Sequence, residues 1–265
     1  MTRPEQPAPA YVPAHGLLTD RTVVVTAAAG AGIGAAVARR VLEEGARAVV
    51  IGDVHERRLG EAAKALGEEF GDDRVASVLC DVTREDDVAT LLDAAEPFGG
   101  VDVMVNNAGL GGTASILEMT DEAWSRVLDI TLTGTFRCVR AAARRMTAHG
   151  TRGVIVNNAS VVGWRAQEGQ AHYAAAKAGV MALTRCAAMD LAEHGIRVNA
   201  VSPSLAMHPF LAKVTTEEFL ADLKGREAFG RAAEPWEIAN VMVFLASDYS
   251  SYLTGEVVSV SSQHA

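Results

Sequence analysis

The sequence lacks what would tie it to an oxidising compartment, a membrane or a polyanion. Its 265 residues include only three cysteines, Cys80, Cys138 and Cys186, far apart and without C-x-x-C or Cys/His spacing. They read as thiols of a reducing compartment, so neither disulfides nor a metal is expected, and the cytoplasm is the expected location. No apolar run approaches the roughly 20 residues that span a bilayer. The opening "MTRPEQPAPAYVPAHGLLTD" has no apolar stretch of the secretory kind. Lysine and arginine form no stripe and the formal net charge is −9. Nucleic acid and anionic membrane are therefore not expected partners.

What is present is the composition of one globular domain, 49% hydrophobic and 22% charged. Residues 1–19 form a Pro/Ala-rich arm, expected to be extended and weakly held. Residues 20–265 alternate short β-branched runs with longer helical patterns and show no repeat and no linker. Strands are expected at 22–26, 48–53, 74–81, 101–109, 153–160, 196–203 and 256–260. Helices are expected at 34–46, 57–70, 85–96, 121–149, 170–194 and 234–247. The strands are continuously apolar rather than alternating, which requires both sheet faces to be covered. The expected fold is α/β, a single-domain, Rossmann-like, doubly wound parallel sheet of about seven strands, with ligands outside the strands' carboxyl ends.

"TAAAGAGIGAA" (26–36) lies between the first strand and the first helix, where a dinucleotide pyrophosphate would sit. Ala28, Gly30, Gly32, Ile33 and Gly34 are the candidate contacts, with the glycines letting backbone approach phosphate oxygens. Asp53 closes the second strand, where a carboxylate can accept both ribose hydroxyls of NAD. The alternative is a strand-end Asp that caps the next helix. A 2′-phosphate about 4 Å from that carboxylate would meet roughly 4 kcal/mol of repulsion per charge pair at an effective dielectric of 20. The expected cofactor is therefore NAD, although His55, Arg57 and Arg58 could soften the discrimination.

"HYAAAKAGVMALT" (172–184) carries a phenol and an ammonium four positions apart, on one face of a helix. On its own that is most often a solvated surface pair. Ser160, thirteen positions before Tyr173, ends the fifth strand in "VNNAS". Three polar groups can thus meet at the strand ends. Across residues 20–260 the chain resembles a short-chain dehydrogenase/reductase. The matching segments are the Gly-rich turn, "CDVT" (80–83), "NNAG" (106–109), Ser160, "YAAAK" (173–177), "VNAVSP" (198–203) and "YLTGE" (252–256).

The resemblance implies that Asp81 and Val82 contact the adenine and that Asn107, Ala108 and Gly109 stand behind a cofactor ribose. "NNAG" also braces the central strand in that family. Ser160 would bind the substrate oxygen, Tyr173 would be the general acid/base, and Lys177 would hold the nicotinamide ribose. A free phenol titrates near 10. An ammonium about 4 Å away offers up to roughly 4 kcal/mol of attraction at the same dielectric, so Lys177 is expected to acidify Tyr173.

Four departures stand out. Thr131 aligns with the family's active-site Asn, whose backbone carbonyl helps hold a water in the proton path; a Thr can still bond back along the helix and bend it. The Gly-rich turn has Ala27 or Ala28 in place of its first Gly and is one residue longer. Pro203-Ser204, with His208, replaces the usual Pro-Gly and later Thr. "SVSSQHA" (259–265) replaces an acidic, glycine-bearing end, which puts the usual subunit contacts in doubt.

Residues 204–232 are expected to form an apolar lid that carries Met207, Phe210, Leu211, Phe219, Leu220, Leu223 and Phe229. With Trp164 and Leu110 they point to a bulky apolar or alicyclic small-molecule substrate. Arg165, Lys213, Lys224 and Arg226 could meet an anionic tail such as a coenzyme A phosphate. Through "VTAAAG", "ASVVGWRAQ" and "AFGRAAEPWE" the chain is similar to actinobacterial family members acting on steroid-ring fragments. The reaction implied is interconversion of a secondary alcohol and a ketone, by a homotetramer or homodimer. The competing reading is a non-catalytic nucleotide-binding sensor on the same scaffold.

Overall fold

The computed structural model describes residues 6–207 and 217–263, the side chains of 217–220 excepted. Seven parallel strands form one sheet in the order β3-β2-β1-β4-β5-β6-β7. They are β1 (Thr22–Thr26), β2 (Ala48–Asp53), β3 (Val75–Leu79), β4 (Val103–Asn106), β5 (Val154–Asn158), β6 (Arg197–Pro203) and β7 (Val257–Val260). Every residue of β1, β2 and β4 is buried, whereas the edge strands β3 and β7 are only partly covered. Central strands can therefore be apolar at every position, and that accounts for the unbroken valine runs.

The helices are α1 (Ile33–Glu43), α2 (Glu56–Phe70), α3 (Glu85–Asp93), α4 (Asp121–Leu128), α5 (Gly134–His149), α6 (Ala171–Leu191), α7 (Glu217–Gly225) and α8 (Pro235–Ala246). Alternate residues of β1 serve opposite faces. Val23 and Val25 pack with Val37 and Val41 of α1, Leu59 of α2 and Met242 of α8. Val24 packs with Leu91 of α3 and with Cys138 and Met146 of α5. Strand order reverses between β1 and β4, so the crevice lies at their carboxyl ends.

Two expectations change. The helix expected over 121–149 is interrupted by a π-helical turn, Asp129–Thr133. The Thr135 hydroxyl donates to the Thr131 carbonyl at 2.8 Å, and Thr131 itself bonds to Leu110 rather than back along the helix. Gly134 is required beside this turn, because a Cβ there would lie 2.6 Å from Val82 Cγ2.

The arm is also held firmly from Tyr11 onward. Arg40 and Glu44, 3% and 0% exposed, pair at 2.6 Å. Arg40 donates to the Val12 and Pro13 carbonyls at 2.6 and 3.2 Å. Glu44 accepts the His15 and Leu17 N–H groups at 2.9 and 3.0 Å. The Tyr11 ring meets Trp236 of α8 edge-on, with centroids 5.2 Å apart. A buried ion pair needs its remaining donors and acceptors satisfied; here the arm's backbone takes up both terminal nitrogens of Arg40 and the free Glu44 oxygen, and only the Arg40 Nε is left without a partner.

Candidate active site

The β1–α1 turn is built by two unusual backbones. Ala27 takes φ +52°, left-handed geometry that usually asks for Gly, and Gly30 takes φ +106°. Ala27 therefore does the work of the missing first glycine at some cost in strain. Gly34 is needed for packing, since a Cβ there would lie 2.2 Å from the Ala27 carbonyl oxygen and 2.5 Å from Asn107 Nδ2. Around Gly30 and Gly32 the space within 4 Å of such a Cβ is open. The N-cap of α1 is Gly32, no side chain caps it, and the first turn holds no acidic residue. Unclaimed helix N–H groups facing open space suit a phosphate. Ile33 opens the helix.

Ala28 donates its N–H to the Gly52 carbonyl at 3.2 Å, tying the turn to β2. Asp53, 7% exposed, accepts from the Ala29 N–H at 3.1 Å and the His55 N–H at 3.0 Å. The carboxylate thus braces the turn and shapes the start of α2. Burial pushes its carboxyl above the usual carboxylate range, against those hydrogen bonds and the charge of Arg58. A cleft of about 320 Å³ lined by Val54, His55, Glu56, Arg57 and Arg58 follows directly after it. Asp81 accepts from the Thr83 N–H and hydroxyl at 2.9 and 2.8 Å, and Val82 is buried against Gly134.

Behind the crevice runs a ladder of asparagines. Asn106 donates to Asn157 at 2.8 Å, and Asn157 donates to the Thr184 hydroxyl at 2.9 Å. Asn158 donates to Asn107 Oδ1 at 2.9 Å, while Asn107 Nδ2 donates to the Ala27 carbonyl at 3.0 Å. The Thr26 hydroxyl accepts the N–H groups of Asn107 and Ala108, both at 3.0 Å. Sequence reasoning assigned Asn107 and gave Asn106 only the bracing part of "NNAG", but passed over Asn157, Asn158, Thr26 and Thr184. The signal was there: two N-N-A runs at the ends of strands that pair Asn106 with Asn157.

Three catalytic candidates meet at the same edge. Ser160, 8% exposed, caps a short 3-10 turn, and its hydroxyl acts on the Tyr173 phenol in the direction of the phenolate. Tyr173 and Lys177 lie on α6, which is built largely of small residues. Lys177, 3% exposed, donates to the Asn158 carbonyl, and its Nζ stands 5.6 Å from the Tyr173 ring centroid. A Cβ on Gly109 would lie 3.5 Å from Lys177 Nζ and 3.7 Å from Thr131 Oγ1, so Gly109 separates the two.

The expected acidification of Tyr173 is not what the structure shows. Burial raises the phenol above its ordinary value, with the Ser160 hydroxyl opposing. Burial also depresses Lys177 to about 8. The ammonium turns toward the Asn158 carbonyl, and both groups sit in poorly hydrated surroundings that disfavour charge.

Of the remaining candidates, Pro203 ends β6, and Ser204 donates its N–H to the Val260 carbonyl at 3.2 Å. His208, Phe210, Leu211 and Lys213 lie outside the described residues, as do the side chains of Phe219 and Leu220. Leu223 is buried, Leu110 and Met207 are half-buried, and Trp164 and Phe229 are exposed. Arg226 is taken up by Asp222 at 2.7 Å. Arg165 donates to Gln263 Oε1 at 2.7 Å.

Comparison with known proteins gives the chain's family and relatives. Residues 27–262 match the family model described as enoyl-(acyl carrier protein) reductase. The chain is 61% identical over 260 residues to (5R,7aS)-5-hydroxy-7a-methyl-1-oxo-2,3,5,6,7,7a-hexahydro-1H-indene-carboxyl-CoA reductase of Mycobacterium tuberculosis, covering 97% of this chain and 98% of that one. It is 46% identical over 243 residues to cis-4-hydroxycyclohexanecarboxylate dehydrogenase of Sinomonas cyclohexanicum, covering 91% and 95%. The crystal structure of a short-chain dehydrogenase from Mycobacterium smegmatis superposes with a TM-score of 0.86 at 56% identity, covering 98% and 99%.

Proposed function

The chain belongs to the short-chain dehydrogenase/reductase family, and on that premise we propose that it interconverts a secondary alcohol and a ketone on an alicyclic, carboxyl-bearing substrate, with NAD as coenzyme. The observation that carries the reading is the convergence of Ser160 at the end of β5 with Tyr173 and buried Lys177 on α6, the Lys177 Nζ standing 5.6 Å from the Tyr173 ring centroid. The substrate class rests on the two relatives, whose names both put a hydroxyl and a carboxyl or carboxyl-CoA group on an alicyclic skeleton. Half-buried Leu110 and exposed Trp164 and Phe229 supply apolar surface for such a ring. In this reading the 204–232 segment is its lid.

The coenzyme fits the residues present. The open N-terminus of α1 with Gly30, Gly32 and Ile33 would take the pyrophosphate, and Asp53 would take the adenosine ribose. Asp81, Val82 and Asn107–Gly109 would flank the rest, with Pro203 and Ser204 at the carboxamide end. When bound, a nicotinamide coenzyme exchanges a hydride with the carbinol carbon. Ser160 holds the substrate oxygen by hydrogen bond. Tyr173, kept as the neutral phenol by burial, gives its proton to that oxygen in the reducing direction and recovers it in the oxidising one. Lys177 holds its ammonium between the Asn158 carbonyl and the Tyr173 ring, where it steadies the phenolate that forms. Thr131, with Leu110, holds the wall opposite Lys177.

A cytoplasmic homodimer or homotetramer is part of the proposal. The free thiols of Cys80, Cys138 and Cys186 fit a reducing compartment. Trp124, Phe136 and Met189 leave apolar surface on α4, α5 and α6 that a second copy would cover. Among the described residues no helix is long and apolar enough to cross a membrane.

The test is nicotinamide absorbance with hydroxycyclohexane carboxylates and their CoA thioesters, with both coenzymes. Tyr173→Phe is expected to lower kcat/KM by about 100- to 10,000-fold with its fold intact. Equal turnover by the variant overturns the assigned proton donor. Coenzyme binding without turnover of any such alcohol or ketone favours the sensor reading.

A further inference from the structure

The two ends of the 204–232 segment are pinned to one buried carboxylate. Glu227, 2% exposed, accepts the Leu205 N–H at 3.3 Å, the Ser262 hydroxyl at 2.7 Å and the Gln263 side-chain amide at 2.8 Å. Ala228 donates its N–H to the Ser262 carbonyl at 2.9 Å, and Ala206 bridges Ala233. The C-terminal residues, unlike the family's usual ending, thus fold back over their own subunit and close the base of the segment.

This arrangement also orients a cation. A carboxylate can only accept, so Glu227 takes the NH2 end of the Gln263 amide, and the amide oxygen must point the other way. It points at Arg165, whose Nη1 donates to it at 2.7 Å. Arg165 lies on the loop from Ser160 to Tyr173, at the carboxyl edge of the sheet where the reaction is placed. Its guanidinium is half-buried and spends one donor on a neutral amide. Among the described residues it has no carboxylate partner, whereas Arg226 pairs with Asp222 and Arg137 with Asp129. A guanidinium fixed by a neutral group keeps its charge and its remaining donors for an anion.

We propose that Arg165, positioned by Gln263 and Glu227, recognises an anionic group on the substrate away from the reacting carbinol, either a ring carboxylate or the phosphates of an acyl-coenzyme A. The inference rests on the alicyclic-alcohol reading above. Gln263 and Glu227 are positioning residues and need not touch the substrate.

The experiment compares kcat/KM for four forms of one ring alcohol: unsubstituted, free carboxylate, CoA thioester, and N-acetylcysteamine thioester, which lacks the phosphates. The selectivity for an anionic form over its uncharged counterpart is expected to fall about 10- to 100-fold in Arg165→Met. The loss should lie in KM rather than kcat, with Arg165→Lys retaining part of it. Gln263→Leu should cause a smaller loss of the same kind. Loss for the free acid identifies the carboxylate as the ligand; loss for the CoA but not the N-acetylcysteamine thioester identifies the phosphates. Lys64→Gln, which changes net charge equally on the exposed face of α2, should leave the selectivity unchanged. A selectivity in Arg165→Met within threefold of wild type overturns the inference while leaving the dehydrogenase reading in place. Failure of the wild type to turn over any of the four overturns that reading, and this inference with it.

Discussion

Thr131 Oγ1 accepts the Leu110 N–H at 2.9 Å and donates to the Leu110 carbonyl at 3.2 Å, so one fully buried hydroxyl satisfies both main-chain groups of a distant residue. The contact fastens the loop after β4 to the π turn between α4 and α5. Thr131→Val keeps the shape and orphans both groups, and should lower the unfolding free energy by about 1–3 kcal/mol in urea titration. Thr131→Ser, which keeps the hydroxyl, should cost much less. Equal stability of the Val variant would show the pair to be dispensable.

Lys177 makes stability depend on pH in a definite direction. Its pKa is depressed from 10.5 to about 8 by burial, so the unfolded chain holds the proton more tightly than the folded one. The penalty is fully present below pH 8 and is relieved as pH rises from there toward 10.5. The full difference is on the order of 3 kcal/mol. Lys177→Met should therefore be more stable than wild type at pH 7, by that amount less the cost of the orphaned Asn158 carbonyl. Denaturant titrations at rising pH should show the gap closing.

Asp53 has both a coenzyme role in the proposal and an observed bracing role, and Asp53→Asn separates them. The amide removes the charge that repels a 2′-phosphate but keeps one acceptor oxygen where the carboxylate offers the Ala29 and His55 N–H groups one each. The NAD-to-NADP ratio of kcat/KM is expected to fall about tenfold or more, while the one lost N–H bond lowers stability by about 1–3 kcal/mol, read separately by thermal unfolding. A wild-type preference for NADP would remove the discriminating role given to this carboxylate.

The arm contributes to stability through Glu44. Glu44→Ala strands the buried Arg40 and releases the His15 and Leu17 N–H groups, so it should cost about 3–5 kcal/mol. Replacing Arg40 and Glu44 together by leucine should cost less than Glu44→Ala alone, because no charge is left unpaired. A double-mutant cycle by thermal or urea unfolding measures the difference.

The order of the strands and of the helices other than α7, the Gly-rich turn, the strand-end Asp53 and the Ser160, Tyr173, Lys177 spacing were legible in the chain. Each depends on local periodicity or on a fixed number of residues along one element. What could not be read depended on distant partners. The break in the long helix comes from Thr131 meeting Leu110, and the firm arm from Arg40 and Glu44. The tail is placed by Glu227. Even Ala27, which has no Cβ-free excuse for a left-handed backbone, adopts one because the surrounding turn demands it.

By itself the sequence determined which side chains can share a helix face or a strand end, because those distances follow from backbone geometry alone. Only the tertiary structure decided how much water reaches them. That is why the Tyr173 phenol is raised rather than lowered: proton affinity is set by the dielectric and dipoles gathered from several elements at once, and no spacing along the chain encodes it.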